Sequence, residues 1–133
     1  MEIRTYQVWL KGREDCPRVV HHTSAGKAKY EYLMDIGDLF PDGLPWADVR
    51  CRSLGPFRPD QHKDPDLERV KAYRKRPDLV LGATVEHSYD GKVGTIVGAD
   101  GGYVAVLFSG LKYQQPVHPG ELRVVGTAEA PIP

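Results

Sequence analysis

Glycine residues divide the last third of the chain into short β-prone segments, and this spacing constrains the fold more than any other feature. Five short runs interpreted as strands, four of them rich in Val, Ile, Leu, Tyr or Phe, lie within residues 79–125, separated by turns such as Asp90-Gly91 and Asp100-Gly101-Gly102. Short β-prone runs bounded by Asp-Gly and Gly-rich turns are typical of antiparallel hairpins. Five such strands within roughly fifty residues predict a small, strongly bent β-barrel.

The N-terminal part combines strands with one helix. Residues 3–10 alternate between two faces, and residues 18–22 form a second β-prone run. A Thr-Ser pair follows, and either hydroxyl can cap a helix whose apolar side chains recur at helical spacing. A third alternating run covers residues 47–54. A single helix laid on a small antiparallel sheet buries these faces with least strain, which predicts a β-β-α-β module over residues 1–55.

A charged segment, residues 56–78, joins the two parts. Its first residues include two prolines and several charges, which predicts a linker. Asp64 followed by Pro65 is typical of a helix N-terminus, and Pro77 ends the short helix that follows.

Three runs of the C-terminal part carry a resemblance to a known fold. They are Gly-Lys-Val-Gly-Thr-Ile-Val-Gly at 91–98, Tyr-Val-Ala-Val-Leu-Phe at 103–108 and His-Pro-Gly-Glu-Leu-Arg-Val-Val at 118–125. Together they resemble the SH3-like barrels of the KOW and Tudor type. The resemblance covers residues 79–125 and implies a binding module, since such barrels bind RNA, DNA, peptides and proteins. In style, the whole sequence also resembles small bacteriophage and prophage proteins.

The predicted fold class is therefore α+β, with four parts in order. Residues 1–55 form the β-β-α-β module and residues 56–78 the charged linker-helix. Residues 79–125 form the small SH3-like β-barrel. Residues 126–133, mostly small residues and prolines, form a flexible tail.

The charges of the chain balance, with 18 Lys and Arg residues against 18 Asp and Glu residues. A content of 41% hydrophobic and 27% charged residues is that of a folded chain. A protein that binds a polyanion over its whole surface usually carries a basic excess, so only a local patch can serve that purpose here.

The expected cellular location of the protein and the expected state of its two cysteines both rest on motifs that are absent from the sequence. No apolar run approaches the length of a membrane span, and residues 1–12 lack the basic start and apolar centre of a signal peptide. We therefore expect no membrane association and a cytoplasmic location. Cys16 and Cys51 have neither CxxC spacing nor neighbouring ligands, so we interpret them as free thiols. A disulfide between them is the alternative, and it needs an oxidising compartment.

Patterns for catalysis and metal binding are weak. The five histidines are scattered, at His21, His22, His62, His87 and His118. None of them has the helical i,i+4 spacing of a metalloenzyme, and we expect no metal and no other cofactor. A site shared by His87 and His118 inside the barrel is the alternative. Cys16 or Ser24 near the His-His pair is the one local grouping for a nucleophile, in a turn where no pocket is expected, so we expect no enzymatic activity.

A basic cluster with an aromatic residue inside it is the first candidate binding site. Cations that contact phosphates and aromatic rings that stack on bases are the two features of single-strand binding surfaces. The candidate nucleic-acid-binding residues are Lys71, Tyr73, Arg74, Lys75, Arg76, Lys92 and Tyr103. The alternative is a solvated helix whose charges compensate each other, because Glu68 can pair with Lys71 and the helix dipole favours cations at its C-terminal end.

Three aromatic residues are the second candidate site. Trp9, Trp46 and Phe57 are either covered by the rest of the chain or presented to a protein partner.

The sequence thus predicts a non-enzymatic binding protein with two hypotheses for its partner. Nucleic acid is favoured by the basic cluster and by the barrel resemblance. A protein-protein interaction, either as a phage-encoded modulator of another protein or as a small homo-oligomer, is favoured by the neutral net charge.

Overall fold

The chain divides after Phe57 into two units, each with its own hydrophobic core. The computed structural model describes residues 2–111 and 113–126, and the predicted flexible tail lies, beyond Gly126, outside the described residues. Two α-helices and two antiparallel sheets make this part of the chain a mixed α+β structure, the class predicted from the sequence. No helix in it has the length and apolar character required to span a membrane.

The first unit is a three-stranded antiparallel sheet with one helix. Its elements are β1 (Arg4–Leu10), β2 (Arg18–His22), α1 (Ala25–Ile36) and β3 (Val49–Pro56), and the strand order is β2-β1-β3. Helix α1 begins where the Ser24 hydroxyl accepts a hydrogen bond of 3.2 Å from the Lys27 backbone N–H. Short 3-10 helices at Gly37–Leu39 and Trp46–Asp48 connect α1 to β3.

The core of the first unit lies between α1 and one face of the sheet. Alternate residues of β1 point toward α1, and these are Tyr6, Val8 and Leu10. They pack with the buried side chains of α1, which are Ala28, Tyr32, Leu33 and Ile36. His22 is fully buried beside them. Its Nδ1 accepts a 2.8 Å hydrogen bond from the Thr23 backbone N–H, so the ring proton of the neutral form lies on Nε2, 3.6 Å from Glu31 Oε1.

The second unit is a five-stranded antiparallel sheet covered by one helix. Its elements are α2 (Pro65–Arg74), β4 (Thr84–His87), β5 (Val93–Asp100), β6 (Tyr103–Phe108), β7 (Gln115–Val117) and β8 (Leu122–Gly126). The strand order is β7-β6-β5-β4-β8, and short 3-10 helices at Pro59–Gln61 and Pro119–Glu121 precede α2 and β8.

The SH3-like barrel predicted for residues 79–125 is wrong, because the five strands form an open sheet. Its edge strands β7 and β8 are not paired with each other in the described part of the chain. Strand β7 has only three residues, and its Pro116 has no N–H to donate to a further strand. Helix α2 closes the core instead, since Leu67 and Val70 are 2% and 5% exposed and pack against sheet residues such as Val85 and Ile96.

Strand β5 approaches β6 very closely at Gly94. A Cβ atom added there would lie 2.7 Å from the Leu107 carbonyl oxygen, 2.8 Å from Val106 Cγ1 and 2.9 Å from Phe108 Cα. Two of these three atoms belong to the backbone of β6, so the neighbouring strand cannot yield by a side-chain rotation. Only glycine fits at this position.

We expect Gly94→Ala to lower the free energy of unfolding of the second unit by about 1–3 kcal/mol, the usual cost of overpacking. Amide hydrogen exchange of β5 and β6 measures this loss. Gly102→Ala is the matched control, because its Cβ meets nothing within 4 Å and its φ lies outside the left-handed region. We expect the control to stay within about 0.5 kcal/mol of the wild type. Equal protection in the two variants would contradict the close approach of the strands.

Candidate functional site

The last turn of α2, the start of β6 and the residue after β7 bring four side chains into one continuous surface. The guanidinium carbon of Arg74 lies 5.5 Å from the ring centroid of Tyr73. Arg74 Nη2 lies 3.2 Å from His118 Nε2, and the rings of His118 and Tyr103 meet edge-on with centroids 6.4 Å apart. We call Tyr73, Arg74, Tyr103 and His118 the α2–β6 surface.

Helix packing and strand register place these residues. Asp64 caps α2 by accepting hydrogen bonds from the backbone N–H groups of Asp66 and Leu67, at 3.0 and 3.1 Å. Strand β7 pairs with β6 so that Val117 lies opposite Val104, which puts His118, the residue directly after β7, beside Tyr103. His118, interpreted from the sequence as a turn residue, joins the site only through this register.

The two tyrosines are open to solvent. Tyr73 is 82% exposed and Tyr103 is 51% exposed, whereas large aromatic side chains on a folded domain are usually at least partly covered. A shallow groove of about 190 Å³ lies beside Tyr73, lined by Arg69, Val70, Arg74, Gly101 and Gly102. It is smaller than most small-molecule pockets and suits a ring that docks on a surface.

Two predicted phosphate ligands are engaged within the fold. Lys71 Nζ lies 3.4 Å from Glu68 Oε1, which is the ion pair expected under the alternative interpretation of a helix with compensating charges. Arg76 donates two hydrogen bonds to the carboxylate of Asp78, at 2.9 and 3.1 Å. It also donates to the carbonyl oxygens of Pro119 and Leu122, at 3.3 and 3.1 Å, so this side chain joins the end of α2 to the start of β8.

The remaining two predicted cations differ in position. Lys75 directly follows Arg74, is exposed and ends α2 in a left-handed conformation with φ 54°. Lys92 lies 3.9 Å from Asp90, at the start of β5. Tyr103 follows the other end of this eight-residue strand, roughly 25 Å away at the usual rise per residue. The structure therefore keeps Lys75 near the α2–β6 surface and separates Lys92 from it.

The three aromatic residues assigned to protein interaction lie in different surroundings. Trp46 is 53% exposed, and its ring stacks on Tyr30 with centroids 6.0 Å apart. Trp9 is partly exposed on the face of the sheet that points away from α1. Phe57 is partly buried, with its ring 4.3 Å from that of His21.

The described residues contain no group of three or more His, Cys, Asp or Glu side chains that could hold a metal ion. His87 lies between two carboxylates, 3.3 Å from Asp90 Oδ1 and 3.2 Å from Glu121 Oε2, while His118 belongs to the α2–β6 surface. Both cysteines are free thiols, and burial raises the pKa of the Cys51 thiol, which disfavours its reactive thiolate form.

No family model matches the chain, and comparisons with curated proteins and with solved structures find no match either. They leave the resemblance of residues 79–125 to proteins of the KOW and Tudor type a prediction from the sequence. The function is therefore inferred from the geometry of the chain's own residues.

The Arg76 contacts predict a structural role that depends on pH. The hydrogen bonds from Arg76 hold the pKa of Asp78 below its usual value. A carboxyl with a lowered pKa stabilises the fold above its unfolded pKa, about 3.9, and this stabilisation is lost as the pH falls through the folded pKa.

We expect Arg76→Gln to lower the free energy of unfolding of the second unit by about 1–2 kcal/mol at neutral pH, since the pair is partly exposed. The difference from the wild type should shrink as the pH falls below the unfolded pKa of an aspartate, about 3.9, and vanish once the pH has passed the lower folded pKa of Asp78. Hydrogen exchange of β8 as a function of pH measures it. Arg123→Gln breaks the exposed pair with Glu86 and should cost under about 0.5 kcal/mol. A pH-independent difference for Arg76→Gln would contradict the role of the Asp78 carboxylate.

Proposed function

We propose that the protein is a non-enzymatic binding protein that binds single-stranded nucleic acid at the α2–β6 surface. The observation that carries this proposal is the continuous series of two exposed tyrosines, an arginine and a histidine. Aromatic rings stack on bases of any sequence, and a neighbouring guanidinium attracts both the ring and the phosphate. The proposal extends to a protein of phage or prophage type that acts in the cytoplasm.

Single strands are favoured over a duplex because the exposed rings need unpaired bases. A duplex hides the faces of its bases, whereas a single strand presents them for stacking. The cations at the site are also few. Arg74 and Lys75 contacting one phosphate each give a salt slope of only about −1.4 on a logarithmic scale for a single strand. Stacking then supplies most of the affinity.

Binding without catalysis is favoured by the shape of the site. The groove beside Tyr73 is shallow and open, and the two tyrosines are largely in contact with water. Enzyme sites gain most of their electrostatic effect by excluding water from preorganised groups.

We expect Tyr73→Ala and Tyr103→Ala each to weaken binding of a labelled oligothymidylate about 5- to 150-fold, because one stacked base contributes about 1–3 kcal/mol. Fluorescence anisotropy measures the affinity. Tyr89→Ala is the matched control, since Tyr89 is 80% exposed and Tyr73 is 82% exposed, and Tyr89 lies in the turn between β4 and β5. The control should bind as the wild type does, and an equal loss in all three variants would contradict the assignment of the site.

Charge changes at the site should alter the salt dependence. Arg74→Gln should reduce the slope by about 0.7, the contribution of one phosphate contact. Asp100 lies opposite Tyr103 in the β5–β6 register and is exposed, so Asp100→Asn should strengthen binding of a polyanion. Weaker binding by Asp100→Asn would instead indicate a cationic partner.

Protein interaction is the second candidate, and an exposed apolar patch on the first unit favours it. Tyr30 stacks on Trp46, and Met34, one helical turn after Tyr30, is 45% exposed. A nuclease-treated pull-down with the wild type and with Trp46→Ser tests this candidate, and sedimentation tests self-association. A partner or a homo-oligomer that depends on Trp46 supports it, and identical results for the two proteins contradict it.

A further inference from the structure

The three-stranded sheet of the first unit has a second face, which α1 does not cover. Because side chains alternate along a strand, Gln7 and Trp9 point away from the helix that Tyr6, Val8 and Leu10 contact. The register places Val19 and Arg52 on either side of Gln7, and Arg50 beside Trp9. We call Gln7, Trp9, Val19, Arg50 and Arg52 the outer sheet face.

The two arginines of this face are held in place by neutral groups. Arg52 Nη2 donates a 2.6 Å hydrogen bond to Gln7 Oε1. Arg50 Nη1 donates to the carbonyl oxygens of Ala47 and Val49, at 2.8 and 3.2 Å. These hydrogen bonds fix the positions of the side chains, and they leave both positive charges uncompensated.

Other arginines of the same sheet are neutralised by carboxylates. Arg18 pairs with Asp35, and Arg4 pairs with Glu2. Within residues 2–111 and 113–126, neither Arg50 nor Arg52 takes part in an ion pair, and both are exposed. The outer sheet face therefore carries two fixed positive charges and no acidic residue.

An aromatic residue lies opposite one of these arginines in the strand register. Trp9 is partly exposed, and residues directly opposite each other across a strand pair have Cβ atoms about 5 Å apart, so Trp9 and Arg50 leave the sheet side by side. At the other end of this face, the ring of Phe57 covers His21 at 4.3 Å, so the open part is the end that carries Trp9. An open sheet that presents an aromatic ring to a base and cations to phosphates is one of the recurring ways to bind a single strand.

We propose that the outer sheet face is a second contact surface for single-stranded nucleic acid, at which Trp9 stacks on a base and Arg50 and Arg52 contact phosphates. The inference rests on the proposed function and adds a site on the other unit. Two uncompensated cations without a facing acid are complementary to a polyanion. The indole on the same face favours a nucleic-acid strand, in which every nucleotide carries a base that can stack, over an acidic polypeptide, whose carboxylate side chains carry no ring.

Tryptophan fluorescence reports on this face directly, because the chain has only two tryptophans. In the full-length Trp46→Phe variant, Trp9 is the sole tryptophan, and titration with an oligothymidylate should quench its emission. In Trp9→Phe, the emission of Trp46 should stay unchanged. Adding Arg50→Gln and Arg52→Gln to the Trp46→Phe variant should abolish the quenching at the same oligothymidylate concentrations. It should also reduce the slope of the logarithm of affinity against the logarithm of salt concentration by about 1.4, the contribution of two phosphate contacts.

A charge-matched control separates these arginines from a general loss of positive charge. Arg4→Gln and Arg18→Gln together remove the same formal charge from ion-paired arginines of the same sheet, and they should leave the quenching in place. Circular dichroism of each variant confirms that the fold is retained.

The outcomes distinguish this inference from the proposed function. Oligothymidylate that binds in a Tyr73-dependent manner while Trp9 emission stays constant overturns the second surface and leaves the α2–β6 surface intact. If Trp9 is still quenched in Tyr73→Ala and Tyr103→Ala, the second surface is supported. This holds even if those two variants bind the oligothymidylate as tightly as the wild type, a result that would contradict binding at the α2–β6 surface. Arg50-dependent binding of polyglutamate without any response to oligothymidylate overturns the inference in favour of an acidic protein partner.

Discussion

The packing of α2 on the open sheet of the second unit is the contact on which the candidate site depends. A five-stranded sheet that does not close must have its apolar face covered, and Leu67 and Val70 supply this cover. Arg74 lies seven residues after Leu67 and therefore on the same side of the helix, one turn beyond the core. The contact that buries Leu67 thus also directs the guanidinium of Arg74 toward His118.

Positive charge along the sequence and positive charge on the surface are different quantities in this chain. The densest basic run lies at the end of α2, and there Arg76 is paired with Asp78 while Lys71 is paired with Glu68. Arg50 and Arg52 stand in no basic run, yet the period of a strand puts them on one face with neutral hydrogen-bond partners. The electrostatic character of a surface is set by what the fold places opposite each cation.

Local sequence patterns predicted local structure, but they did not predict contacts between residues distant in the sequence. Alternation of side chains indicated β1, and capping residues indicated the starts of α1 and α2. Alternation and capping each depend only on residues close in the sequence. The barrel prediction was wrong because periodicity indicates a strand and does not indicate whether the first and last strands pair. The sequence feature that argues against closure is Pro116, which lies in the three-residue strand β7. His118 joins Tyr103 through the β6–β7 register, which no local pattern encodes.

Balanced net charge shapes the kind of nucleic-acid binding that such surfaces support. A strongly basic protein is attracted to any polyanion from a distance, and its affinity falls steeply with salt. On the proposed function, the opposing charges of this chain cancel at long range, so attraction arises only where the α2–β6 surface and the outer sheet face meet the ligand directly. Stacking depends little on salt and requires a base with an open face. If the proposed function holds, a neutral chain with aromatic contact surfaces should therefore discriminate between an unpaired strand and other polyanions better than a basic chain of the same size.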